Sequence, residues 1–174
     1  NIRRWYDYWR ERPGTGNRVN AGAVNIIFSD TNTHYRGEEN FRRSGETDAM
    51  RILKENYFAN KVMWNGWVDV FNKDVYIIGH WNYPSGTRKN VYVVSNCDKV
   101  ELFINGASRG WGNRSSRFLF TFSGIQWESG EIRAVGYTES NQYVTEHVKT
   151  TTGSPSRIRM TAEQNPDGFK ANGS

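Results

Sequence analysis

Residues 90–110, NVYVVSNCDKVELFINGASRG, constrain the fold more than any other stretch of the chain. Val91-Tyr92-Val93-Val94 is β-branched and aromatic, as a strand should be, and it stops at Ser95-Asn96-Cys97-Asp98, a cluster of turn formers. The chain then alternates, with Val100, Leu102 and Ile104 on one face and Glu101 and Phe103 on the other. Asn105-Gly106 follows at once, and both residues tolerate positive φ, which a two-residue hairpin turn demands. The stretch predicts two strands and two turns, the hairpin region at the core of an antiparallel sandwich.

The same grammar continues on either side. Strands are expected at 75–81, 90–95, 99–105, 117–122, 131–137 and 143–150, with a short one near 108–111. Turn signals separate them at Pro84-Ser85-Gly86, Asn105-Gly106, Ser123-Gly124, Ser129-Gly130 and Ser140-Asn141. Six or seven short strands over roughly 80 residues is the spacing of an immunoglobulin-like sandwich. Cys97 is the single cysteine, so the sandwich has no internal disulfide.

The first third reads differently. Ile2, Trp5, Tyr6 and Trp9 fall at i, i+3, i+4 and i+7, an amphipathic helix over 1–12 that Pro13-Gly14 ends. The pattern begins at Asn1 with no initiator Met and no leader, which reads as an internal start. Residues 24–28, VNIIF, form a short apolar run expected to be a strand buried on both sides. A polar loop follows, Ser29 to Tyr35. Helix, turn, buried strand and polar loop in that order belong to a parallel α/β sheet. A second helix is expected over 54–64, with Tyr57, Phe58, Ala59 and Val62 on one side and Asn65-Gly66 stopping it. The change of pattern places a domain boundary near residue 72.

Composition narrows the function classes. The net charge of +5 is spread along the 174 residues, without a basic block or a nucleic-acid motif, so nucleic acid is not an expected partner. No apolar run approaches the ~18 residues of a membrane span. No Cys/His group has zinc spacing. Aromatics reach 14% with seven Trp; such rings either stiffen a small core or stack on sugars, and the core reading is the better one. His80-Trp81-Asn82-Tyr83 poses the same choice, a sugar platform or a plug at the sandwich edge.

Candidate chemistry lies in the carboxylates and the polar loop. Glu38-Glu39 and Glu46/Asp48 have the number of carboxylates that glycoside hydrolysis needs. They sit beside Arg36, Arg42 and Arg43, so surface ion pairs are the better reading. Asp30, Asn32 and His34 lie just past the end of the 24–28 strand. That is where α/β barrels place ligand-binding groups, though Asx turns use the same residues.

Taken in order, YWRERPGTG, VNIIFSDTNTHYRGEENFRRSGETDAMRI, VMWNGWVDV, HWNYPSGT, SNCDKVELFING and GEIRAVGY resemble glycoside hydrolase family 2, in its β-galactosidase-like branch. The resemblance implies a mainly β fold, an immunoglobulin-like antiparallel sandwich preceded by the C-terminal portion of a (β/α)8 barrel. Residues 1–71 would end the barrel, 72–153 would be the sandwich, and 154–174 would open a further, truncated β-domain. It implies part of a retaining hydrolase of terminal β-galactosides in oligo- or polysaccharides, with no cofactor and no metal. Both catalytic glutamates would lie upstream of Asn1, so no catalytic residue is assigned. Asp30, Asn32 and His34 are the expected substrate-binding residues. The expected partners are the carbohydrate substrate and the rest of the parent polypeptide; oligomeric state and compartment stay open. The alternative is a non-catalytic carbohydrate-binding or scaffold sandwich.

Overall fold

The computed structural model describes Arg3, residues 27–31, residues 41–161 and Gly168. Two four-stranded antiparallel sheets form a sandwich. The first has the order β1(Val75–Ile78), β2(Arg88–Ser95), β6(Leu119–Gln126), β5(Asn113–Ser116); the second has the order β4(Ala107–Trp111), β3(Lys99–Ile104), β7(Glu131–Tyr137), β8(Tyr143–Thr150). The two strands of the 90–110 stretch lie in different sheets, and the hairpin is made by β3 and β4. Asn105 and Gly106 turn it with φ of 49° and 81°, as their pairing predicts.

The alternation in β3 is realised in full. Val100, Leu102 and Ile104 are buried, and their neighbours are half-covered. With Val91, Val93, Phe120, Phe122, Ile132 and Ala134 they fill the space between the sheets. Trp81 closes one end as a buried plug, its indole N–H donating to the Glu128 carbonyl at 3.1 Å. The link from β2 to β3 is buried too. Ser95 Oγ donates to the Asp74 carbonyl, while the Asn96 amide bridges the Asn72 carbonyl and the Asp74 N–H. The buried side chains of Ser95 and Asn96 are thereby satisfied, and the entry into β1 is fixed.

One helix, α1(Glu55–Trp67), packs on the outer face of the first sheet. Ala59 and Val62 meet Val94 and Phe118, with Trp67, Tyr76, Ile78 and Leu119 around them. This explains why consecutive Val93 and Val94 are both fully buried: one faces the second sheet and the other faces the helix. Phe58 is covered by Tyr76, ring centroids 4.5 Å apart. The expected stop at Asn65-Gly66 is not one. Asn65 is buried and donates to Asp74, and a Cβ at Gly66 would overlap the Phe118 ring. The glycine admits a neighbouring ring; it does not end the helix.

No barrel portion is evident among the described residues. The helix over 1–12 lies outside them apart from Arg3, as do Val24, Asn25 and Ile26. Of the expected buried strand, Ile27 and Phe28 are described, neither is in a strand, and Phe28 is 59% exposed, which corrects that expectation at its C-terminal end. Strand β5, NRSS, was not expected, because an edge strand with polar residues carries no apolar alternation. No helix among the described residues is long and apolar enough to cross a membrane.

Candidate functional site

The sequence singles out the loop around Asp30, and its geometry is set by backbone pairing with the segment before α1. The Asp30 N–H donates to the Thr47 carbonyl at 2.9 Å, and the Thr47 N–H donates to the Phe28 carbonyl at 3.0 Å. The Asp30 carboxylate then receives the Lys54 ammonium on both oxygens, at 3.0 and 2.8 Å, and the Gly45 N–H at 2.8 Å. Gly45 has to be a glycine here, since a Cβ would stand 2.5 Å from the Asp30 nitrogen.

Burial by itself would raise the Asp30 pKa. The Lys54 hydrogen bond and charge, with the Gly45 N–H, outweigh burial and hold it below the ordinary aspartate value. Asp30 is therefore an ionised anchor at neutral pH and unsuited to act as a general acid. Asn32 and His34, the other two expected site residues, lie outside the described residues, as do Glu38 and Glu39.

Glu46 departs from the expected surface ion pair. It is buried, and its Oε1 accepts the side-chain amides of Asn56 and Asn60 from α1 at 2.6 and 2.8 Å. Its carbonyl accepts the Lys54 N–H at 2.8 Å, so it ties the loop to the start of the helix. The sequence signal was there: Asn56 and Asn60 are four apart and share a helix face, a ready clamp for one carboxylate. Asp48 Oδ1 caps the N–H groups of Met50 and Ile52, an ordinary local turn. Among the described residues, no group of three His, Cys, Asp or Glu could hold a metal ion.

The aromatic residues divide into plugs and exposed rings. Tyr83 is stacked on His80, ring centroids 4.3 Å apart, and its hydroxyl accepts a hydrogen bond from the Lys89 ammonium, so the ring is already engaged on one face and at its hydroxyl. The exposed tryptophans among the described residues are Trp64 and Trp111. Neither was singled out from the sequence, because exposure of a ring depends on which sheet edge or helix face receives it.

Over 97% of its length the chain is 38% identical to a β-glucuronidase of Formosa agariphila. The solved structure of a β-glucuronidase from glycoside hydrolase family 2 superposes on 85% of the chain with a TM-score of 0.67 and 37% identity, and the matched part is 15% of that structure. This chain is a family 2 glycoside hydrolase segment. Within the family 2 segment, residues 86–145, from the β1–β2 loop into β8, match the domain of unknown function DUF4982. A β-galactosidase of Bacteroides ovatus is 29% identical over 69% of the chain. The segment spans 17% and 14% of the lengths of these two curated relatives. Its likeness to this β-glucuronidase is thus both higher and longer than its likeness to this β-galactosidase, the activity expected from the sequence.

Proposed function

We propose that this family 2 segment is part of a retaining glycoside hydrolase whose substrates are β-glucuronides. The observation that carries the reading is the 38% identity to a β-glucuronidase over 170 residues, against 29% over 121 for a β-galactosidase. A glucuronide replaces the β-galactoside of the sequence reading on that ground. The reaction uses two carboxyl groups, one as acid and base and one as the nucleophile that forms a glycosyl-enzyme. The described carboxylates at the N-terminal side are engaged otherwise: Asp30 by Lys54, Glu46 by two amides, Asp48 by a turn. The catalytic pair is accordingly assigned to other parts of the parent polypeptide.

In this reading, residues 1–71 end a catalytic barrel, 72–153 are the sandwich, and 154–174 begin a further β-domain. Asp30, Asn32 and His34 line the sugar pocket from the loop after the last barrel strand. Asp30 contributes by fixing that loop, since its carboxylate is already held by Lys54.

The test compares the complete parent polypeptide with the 174-residue chain on aryl β-glucuronide and aryl β-galactoside. The parent should prefer the glucuronide by at least about a hundredfold in kcat/KM, with retained configuration, and the chain alone should be inactive. Preference for the galactoside would return the sequence reading. Turnover by the chain alone that is lost on substituting Glu38, Glu39 or Glu46 would place the catalytic pair within it.

A further inference from the structure

Where the chain crosses from the second sheet to the first, between β4 and β5, the sandwich is open. The crossing runs Trp111-Gly112-Asn113, with the Gly112 N–H donating to the Val100 carbonyl at 2.8 Å. A Cβ at Gly112 would stand 2.7 Å from the Phe122 ring and 3.0 Å from Phe120, so the backbone passes here uncovered by any side chain of its own. A cavity of about 400 Å³ opens beside it, walled by Trp111, Arg114, Asp98, Lys99 and Asn141 over Val100 and Phe120. This size is within the usual range of small-molecule sites.

The walls combine one flat apolar surface with a rim of hydrogen-bonding groups. Trp111 is 52% exposed although it stands on a strand, and Tyr137 packs against it in a T-shaped contact with ring centroids 5.3 Å apart. Arg114 is held by the Cys97 and Asp98 carbonyls through Nη2 and lies over the Phe120 ring at 5.0 Å. Lys99 donates to the Glu139 carbonyl at 2.7 Å and to Asn141 Oδ1 at 3.1 Å. Asp98 Oδ2 accepts the Glu139 N–H at 3.0 Å. The rim is therefore fixed before any ligand arrives. It still offers the other guanidinium N–H groups of Arg114, the second Asp98 oxygen and the Asn141 amide nitrogen.

We propose that this cleft binds one pyranose unit of an oligosaccharide, its C–H face against the Trp111 indole and its hydroxyls on Arg114, Asp98 and Asn141. A pyranose is apolar on its face and ringed by hydroxyls at its edge, the inverse of the indole-and-rim arrangement here. A flat aromatic ligand would also stack, but it would leave the charged rim without partners. The choice of a sugar rests on the glycosidase reading above. The site itself makes no use of a catalytic carboxylate.

The test titrates the 174-residue chain with cellotetraose, xylotetraose and a glucuronate-bearing xylo-oligosaccharide, following tryptophan fluorescence and backbone NMR shifts. At least one sugar should give a saturable response, with shifts centred on Trp111, Gly112, Arg114 and Asn141. Trp111→Ala should weaken it about tenfold or more, Arg114→Gln should weaken it less, and Trp64→Ala should leave it unchanged. No saturable response from any probe up to about 10 mM, or shifts centred elsewhere, overturns the proposal. The shift map on the unaltered chain keeps the test decisive if Trp111→Ala does not fold. Aryl β-glucuronide hydrolysis by the parent is a separate measurement: binding without hydrolysis sinks the glycosidase reading alone, and hydrolysis without binding sinks the cleft alone.

Discussion

The sandwich and the loop that precedes α1 are built on opposite plans. In β3, Val100, Leu102 and Ile104 point inward and meet Val93, Phe120, Ile132 and Ala134 in one apolar core. In residues 41–54 the carboxylate of Glu46 and the hydroxyl-bearing Thr47 are buried, while Met50, Ile52 and Leu53 are exposed, as is Phe28 beside them. The sandwich is therefore held chiefly by the removal of hydrocarbon from water, which is non-directional. The loop is held by directional bonds to Asp30, Glu46 and Asp48. A loop of this kind should be insensitive to what its apolar residues are and sensitive to single polar atoms.

Substitutions can break that contrast. The largest effect is expected at Leu102, fully buried between the sheets: Leu102→Ala should cost about 2–5 kcal/mol in urea unfolding. A neutral result would mean that the β3 face assigned here is wrong. Next comes the helix–sheet seam, where Gly66→Val drives a branched side chain into Phe118 and should cost about 1–3 kcal/mol. Two loop variants separate the polar contribution from the apolar one. Glu46→Ala leaves the Asn56 and Asn60 amides without their shared acceptor and should cost about 1–3 kcal/mol, whereas Met50→Ser should stay within about 0.5 kcal/mol. If Met50→Ser were the worse of the two by thermal melts, the inverted plan would fail.

The smallest effect is expected from pH, and it belongs to the sandwich. His147 Nδ1 on β8 accepts the Ile77 N–H of β1 at 3.2 Å, joining the two sheets at one edge. Burial, and then the Lys149 charge, lower its pKa from the usual 6.5, so the folded state prefers the neutral ring. Its contribution is complete above pH 6.5 and is lost as pH falls through the lowered value. The melting temperature should decline over that interval, and His147→Gln should flatten the decline.

What was legible in the sequence follows the same division. Strands β7 and β8 were placed to the residue and β3 to within one, because their alternation reflects burial on one side. Glycines misled where they serve packing: Gly66 reads as a breaker, and only the Phe118 ring 52 positions later explains it. Charge misled as well, because Glu46 is surrounded in sequence by arginines but in space by two helix amides. Of the expected sugar-binding residues, Asp30 is placed by the structure as an anchored carboxylate. Trp111 drew no attention as a chain position, since its exposure arises from the crossing at Gly112.

The apolar layer shared by α1 and the first sheet also decides how the segment can be moved between proteins. Val62 and Val94 are fully buried against one another's surroundings, and Trp67 stands 5.1 Å from Phe118. A graft that began at β1 would strip this layer and expose Val94, Phe118 and Leu119 together. One that began ahead of Glu46 would carry the helix, its Asn clamp and both faces of the sheet as a single piece. For chimaeras built with this segment, the unit of exchange is the helix with its sandwich.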